Sequence, residues 1–192
     1  MSNKIRNPKD MKTLNQTIFR EYDIRGKYPE DLNPSSIRSI AFSIAKKCKA
    51  ESIDSLVIGR DGRLSGPELT KILEAELNKN GISTQNIGVV TSPLLYFAAK
   101  KSSTLSGIML TGSHNPKNYN GIKMVINDQP ISGKEIYEGI SSKPSSFNQN
   151  QAVRKNLNVV QTYVNEIVNS FSSIHKKIVV DCGNGAAGEI AP

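Results

Sequence analysis

Three observations predict an α/β fold: a mixed, mostly parallel sheet sandwiched by helices, followed by an incomplete second α/β domain. Segments with apolar residues at helical spacing alternate with short apolar runs of strand length. A polar loop dense in Gly, Ser, Asn and Pro separates two such runs around residue 113. At residues 141–151 the composition shifts to Ser, Asn, Gln and Pro, as in an exposed linker near a domain boundary. The division that results is a polar lead at 1–15, a first domain at 16–150 and the start of a second domain, cut short, at 151–192.

Each element has a local reason. Residues 17–19 read as the start of a strand. Residues 20–26 alternate charged and bulky side chains and end in Arg25-Gly26, where the glycine permits a sharp turn that presents Arg25 at a sheet end. A surface ion pair between Asp23 and Arg25 is the simpler alternative. Asn33-Pro34 opens a helix, with Asn33 as N-cap and Pro34 in the first turn. Ile37, Ile40, Ala41, Ile44, Ala45 and Cys48 form its apolar face. Residues 54–58 read as a strand and 59–66 as a loop. Pro67 begins a helix with Leu69, Ile72, Leu73 and Leu77 inward, and Gly81 ends it. Residues 86–90 are a strand. Thr91-Ser92-Pro93 starts a short helix through Lys101. Strands at 107–110 and 122–126 flank the polar loop and are expected to be antiparallel. Residues 133–140 read as a short helix. After the linker, Val160, Tyr163, Val164, Ile167, Val168 and Phe171 form an amphipathic helix, and residues 178–180 a buried strand.

Composition bounds the function. The chain has 192 residues, 37% hydrophobic and 22% charged, as in an ordinary globular protein. The formal net charge is +8, but Lys and Arg are scattered and aromatics make up only 6%. That pattern suits a phosphorylated metabolite at least as well as it suits nucleic acid, and no nucleic-acid partner is expected. No segment reaches transmembrane length and the first 14 residues lack an apolar signal core, so no membrane partner and a cytoplasmic location are expected. Cys48 and Cys182 make no metal-binding spacing. Cys48 falls on an apolar helix face and reads as core.

The chemistry gathers in Leu110-Thr111-Gly112-Ser113-His114-Asn115-Pro116, with Gly121-Ile122-Lys123 after it. A hydroxyl, an imidazole, an amide and an ammonium meet where a sheet ends. In an extended backbone His114 points away from Ser113, which fits a hydrolase triad poorly. The pattern is also not G-x-S-x-G. A phosphoserine suits it better, with Gly112, His114 and Lys123 supplying positive partners and N–H groups. The alternative is a polar turn whose side chains satisfy local backbone groups. The loop at 59–66 puts Arg60, Asp61, Arg63 and Ser65 between a strand end and a helix N-terminus, where α/β sheets bind anions. Asp61 and Arg63 read as a network bracing the serine loop. For Arg60 both roles stay open.

Thr111-Gly112-Ser113-His114-Asn115-Pro116 resembles the active-site serine loop of the α-D-phosphohexomutases. Phe19-Arg20-Glu21-Tyr22-Asp23-Ile24-Arg25-Gly26 and Gly59-Arg60-Asp61-Gly62-Arg63-Leu64-Ser65-Gly66 resemble two further family motifs, in the right order. Val179-Val180-Asp181-Cys182-Gly183-Asn184-Gly185-Ala186-Ala187-Gly188 resembles the start of the family's second domain. The forms Tyr-Asp-Ile-Arg-Gly and Thr-Gly-Ser-His are similar to the phosphomannomutase/phosphoglucomutase branch; phosphoglucosamine mutases usually carry Ala where this chain has Gly112. The resemblance implies the fold of phosphohexomutase domain I. It implies a phosphotransfer between the 1- and 6-positions of hexose phosphates, through phosphorylated Ser113 and a hexose 1,6-bisphosphate. Ser113, His114, Lys123 and Arg25 would be catalytic. Tyr22, Arg25, Arg60, Asn115 and Lys123 are carried as substrate- or phosphate-binding candidates. Mg²⁺ would be held by the Ser113 phosphoryl oxygen and by an Asp-Gly-Asp-x-Asp-Arg loop that this sequence does not contain.

Two other readings remain. One is a sugar-phosphate-binding or interaction remnant without turnover; this chain alone is expected to be inactive, and self-association through the second-domain segment is expected. The other is a dinucleotide-binding fragment built on Gly183-x-Gly185-x-x-Gly188.

Overall fold

The computed structural model describes residues 14–140, 152–172 and 175–191 of the chain. Helix α1 (Pro34–Ala50) starts where its capping residue dictates. The Asn33 side chain accepts hydrogen bonds from the Ser35 and Ser36 amides, and the Asn33 amide donates back to Ser36 Oγ. Prolines also stand in the first turns of α2 (Gly66–Lys79) and α3 (Ser92–Lys101). Gly81 follows α2 at φ +79°, the left-handed turn that ends a helix.

The strands β1 (Ile24–Lys27), β2 (Ser55–Arg60), β3 (Ser83–Val89), β4 (Gly107–Leu110), β5 (Tyr119–Ile126), β6 (Gln129–Pro130) and β7 (Arg154–Asn156) form one sheet. Its order is β1-β5-β4-β2-β3-β7, with β6 also on β5. The pairs β2·β3, β2·β4 and β3·β7 are parallel, while β5 is antiparallel to β1, β4 and β6. So β5 alone runs against the other strands, and the sheet is mixed and mostly parallel, as the alternation of elements implies.

Side chains alternate between the two faces. Ile58, Ile108 and Leu110 pack with Ile37, Ile40, Leu73 and Ile136, so α1, α2 and α4 (Gly133–Ile140) cover one face. Val57 and Met109 pack with Leu94 and Leu95, so α3 covers the other. Helix α5 (Val160–Asn169) leans on this second cluster through Val160 and Tyr163, and Tyr163 meets Phe97 edge-on at 5.2 Å. Cys48 is buried as expected, and burial pushes its thiol up to about 12.

Several expectations are corrected. Residues 17–19 start no strand. Gln16–Ile18 is a 3₁₀ turn, because Asn15 accepts from the Thr17 amide and caps it. Gly59 and Arg60 belong to β2, and β3 begins at Ser83, since ladder bonds to β2 carry the polar residues at 83–85. Residues 178–180 are not a buried strand. They join no ladder among the described residues and are 65, 90 and 58% exposed. A β-prone run without a partner strand has nothing to bury against. Gly183 follows no strand there, and Ala186–Glu189 is only a 3₁₀ turn. Among the described residues the strand–turn–helix setting of a dinucleotide fingerprint is therefore missing. β7, which no apolar pattern announces, joins the first sheet although it lies beyond residue 150. The expected linker at 141–151 lies outside the described residues.

Candidate active site

The loops that follow neighbouring parallel strands leave the same edge of a sheet. β2 and β4 are adjacent, so the loop at 61–65 and the serine loop at 111–118 meet there. Arg63 joins them. Its Nη1 donates to the carbonyls of Pro116 (2.6 Å) and Tyr119 (2.9 Å), and its Nη2 to those of Ser113 (3.0 Å) and Asn115 (2.6 Å). Its Nε pairs with Asp61 Oδ2 at 3.2 Å. Asp61 accepts in turn from the amides of Arg63 (3.0 Å) and Gly112 (3.1 Å). The bracing network read from the sequence is present, and it reaches further than the ion pair alone.

Ser113 is exposed and sits at φ +53°, a left-handed conformation uncommon for a residue with a Cβ. The premise that this stretch is extended therefore fails. Its amide donates to Thr111 Oγ1 at 2.9 Å. Asn115 closes the turn: its amide and its Nδ2 both donate to the Gly112 carbonyl, at 3.0 and 2.8 Å. His114 is exposed and makes no hydrogen bond to Ser113 among the described residues.

Arg25 lies on β1 opposite Gly121, and Lys123 lies two residues further along β5, so both project from the face that α3 covers. Gly121 lets three chains close up. A Cβ there would sit 2.6 Å from the Ile24 carbonyl and 2.8 Å from the Thr111 carbonyl. This brings the backbone of Arg25 beside the first residue of the serine loop. Arg25 Nη2 bonds Asp23 Oδ2 at 2.5 Å, a largely buried pair rather than a surface one, and its buried Nε has no partner among the described residues. Lys123 is half-buried and likewise has no ion pair or hydrogen-bond partner from its side chain there.

The other candidates stand apart. Arg60 pairs in register with Leu110, on the opposite face from Arg25 and Lys123; its Nη1 donates to the Asp61 carbonyl at 3.1 Å and its stem lies beside Gly66 at the start of α2. Tyr22 is 77% exposed, and a hydrogen bond with Glu21 pushes its phenol up. A cavity of about 470 Å³ lies between the first 3₁₀ turn and α4, lined by Phe19, Arg20, Lys134 and Tyr137 among others, and no serine-loop residue lines it.

Two further residues shape the site, Thr111 from the serine loop and Asn120, which the sequence reading did not single out. Thr111 receives the Ser113 amide. Asn120 is fully buried, donating to Ser65 Oγ and accepting from the Gly121 amide, both at 2.8 Å, and so ties the start of β5 to the end of the loop at 61–65.

The fold and this loop define a class: α/β domains that present a serine at the carboxyl edge of a mixed sheet. The family profile described as phosphoglucomutase/phosphomannomutase, alpha/beta/alpha domain I, matches residues 16–146, and the chain belongs to that family. It is 40% identical over 183 residues to the phosphomannomutase/phosphoglucomutase of Pseudomonas syringae pv. tomato, covering 93% of this chain and 39% of that protein. It is 37% identical to the phosphoglucomutase of Neisseria gonorrhoeae, covering 94% and 40%. A crystal structure of a phosphoglucomutase/phosphomannomutase family protein from Burkholderia thailandensis superposes with a TM-score of 0.84 at 36% identity, over 93% of this chain and 41% of that one. The chain thus spans about two fifths of the length of these relatives.

Proposed function

We propose that this chain supplies the phosphoryl-carrying serine of a hexose-phosphate mutase. The observation that carries the reading is Ser113, exposed in a left-handed conformation on a loop that Arg63 and Asp61 clamp to the sheet edge. Family membership and the names of the relatives support it.

In this reading phosphorylated Ser113 gives its phosphoryl group to the free hydroxyl of a hexose 1- or 6-phosphate. The P–Oγ bond breaks, a P–O bond to the sugar forms, and the hydroxyl proton passes to Oγ. The bisphosphate turns over and its other phosphoryl group returns to Ser113 by the reverse exchange. Such transfer is mostly positioning and charge neutralisation. Arg25 and Lys123, on the α3 face beside the loop and each with a donor that has no partner among the described residues, supply positive charge. His114 moves the proton. Tyr22, Arg60 and Asn115 remain candidates for substrate or phosphate contact, with Asn115 acting first on the shape of the loop. A cytoplasmic location goes with this reading, since sugar phosphates are charged and do not cross bilayers unaided.

The resemblance also implies Mg²⁺. Among the described residues no three His, Cys, Asp or Glu side chains gather to hold a metal, and Asp61 is already engaged by Arg63 and Gly112. One phosphoryl oxygen on Ser113 does not make an octahedral site, so the described residues by themselves do not fit the metal.

Incubation with glucose 1,6-bisphosphate followed by peptide mass spectrometry tests the proposal. Phosphate is expected on Ser113 and absent from Ser113→Ala. Phosphate found only on another residue overturns it.

A further inference from the structure

We propose that Arg63 is a positioning residue for Ser113, a role that rests on the phosphoserine reading and goes beyond it. The guanidinium gathers four carbonyls, those of Ser113, Asn115 and Pro116 in the loop and that of Tyr119 at the start of β5. Carbonyl oxygens repel a phosphoryl dianion. Held by Arg63, these oxygens are not free to turn towards the negative charge that arrives at Ser113. The same contacts over-determine the left-handed backbone of Ser113, which a free loop would relax.

Gly112 is the second half of the device. Its own φ is not in the left-handed range, so backbone freedom is not what glycine provides there. What it provides is room. A Cβ at residue 112 would stand 2.3 Å from both Cζ and Nε of Arg63. The guanidinium lies flat against this position, held by Asp61, which also takes the Gly112 amide. Lysine would not substitute, because one ammonium cannot reach a carboxylate and four carbonyls spread over a planar fork. Side-chain exposure of 14% for Arg63 and 20% for Asp61 keeps water from competing for these bonds.

The test uses the 192-residue chain and its Arg63→Lys, Arg63→Ala, Gly112→Ala and Arg63→Ala/Gly112→Ala variants. Two quantities are read: amide hydrogen exchange across residues 111–120 and across the core strands, and the rate of Ser113 phosphorylation by glucose 1,6-bisphosphate. Arg63→Lys and Arg63→Ala are expected to raise exchange in the loop alone, with core strands unchanged. They are expected to slow phosphorylation by about a hundredfold. Gly112→Ala is expected to match them, and to add little once Arg63 is gone, because the clash it creates is with that side chain. Loop exchange unchanged in Arg63→Ala overturns the inference. So does a loosened loop that is phosphorylated at the parental rate, or an Arg63→Lys variant that behaves as the parent does. If the unsubstituted chain takes no phosphate on Ser113, the proposed function fails. The exchange results and the Gly112–Arg63 coupling read by thermal unfolding then decide this inference on their own.

Discussion

The loops at residues 111–118 and 183–188 look alike as sequences. Both mix Gly with Asn or Ser, and each holds a non-glycine residue in the left-handed region, Ser113 at φ +53° and Asn184 at φ +59°. They differ in what surrounds them. The first follows β4 and faces β5, and Arg63 and Asp61 tie it to the loop after β2. The second follows residues 178–180, which lie exposed, and is closed by its own turn bonds and by Asp181 accepting from the Gly183 amide at 2.8 Å. A glycine-rich turn becomes a candidate site only when a sheet edge fixes where it points. The first region has that edge; the second, among the described residues, does not.

The two cysteines report this contrast most sharply. Cys48 is fully buried on α1, with its thiol pushed up to about 12 by desolvation, whereas Cys182 is partly exposed beside the second loop. A thiol reagent near neutral pH is expected to modify Cys182 in the folded chain. Cys48 should react several orders of magnitude more slowly, at a rate set by unfolding. The sign with pH follows. In the unfolded chain the Cys48 thiol loses its proton near its ordinary value, while the folded state holds the proton to about 12. Between these the folded state binds more protons, so stability falls as pH rises through that window. Urea titrations in alkaline buffer should show a shallower fall for Cys48→Ala than for the parent. Equal native reactivity of the two thiols would erase the contrast.

Substitution measures the same difference in stability. Ile58 is fully buried on β2, and Ile58→Ala should cost about 2–5 kcal/mol, read from urea unfolding. Val179 is 90% exposed, and Val179→Ala should change stability by no more than about 0.5 kcal/mol. A large loss at Val179 would mean that residues 178–180 are packed after all.

What the sequence showed of this molecule was what is local. Asn33-Pro34 announced α1 because a cap is chemistry within four residues. The runs at 107–110 and 122–126 announced β4 and β5 because buried strands are apolar. Arg63 and Asp61 could be read as a brace, but the four carbonyls come from residues about fifty positions away and carry no side-chain signature. The left-handed turn falls on Ser113 rather than on neighbouring Gly112, whose missing Cβ instead makes room for Arg63, a contact visible only in the fold. Residues 17–19 misled because a β-prone run was overruled by the Asn15 cap. β7 was hidden because Arg154-Lys155-Asn156 is wholly polar. It is held by backbone bonds, from the Thr84 amide to the Val153 carbonyl and from the Leu157 amide to the Asn86 carbonyl, and by Arg154 on the buried carboxylate of Glu74 at 2.8 Å. Arg154→Gln leaves Glu74 with Asn86 as its remaining partner. Arg154 is half-exposed, so a cost of about 1–2 kcal/mol is expected, with faster amide exchange confined to residues 84–86 and 154–157. Uniform exchange across the sheet would mean that β7 is no separable edge.

The smallest expected effect is association between copies. Val168, Phe171, Ile178, Val179 and Val180 are each more than half exposed, on the side of the chain that adds no strand to the sheet. Burying such side chains contributes about 1.5–3 kcal/mol each at most, and less here because each is already partly covered. Two copies meeting give up about 4–15 kcal/mol of translational and rotational freedom, plus the ordering of a segment whose contacts are few. The two sums are of similar size, so the surplus is small and the dimer weak, with dissociation in the high micromolar to millimolar range. Charge does not help, since a chain of net charge +8 repels its copy, and added salt should strengthen association rather than weaken it. Sedimentation velocity of the 192-residue chain over a wide concentration range, at low and high salt, measures this. Phe171→Ser with Val179→Lys should abolish the association and leave the urea midpoint unchanged, because neither side chain touches the core clusters. A dimer that persists in that variant, or that dissolves in salt, would move the contact to the charged faces of the first domain and leave the exposed segment without a partner of its own kind.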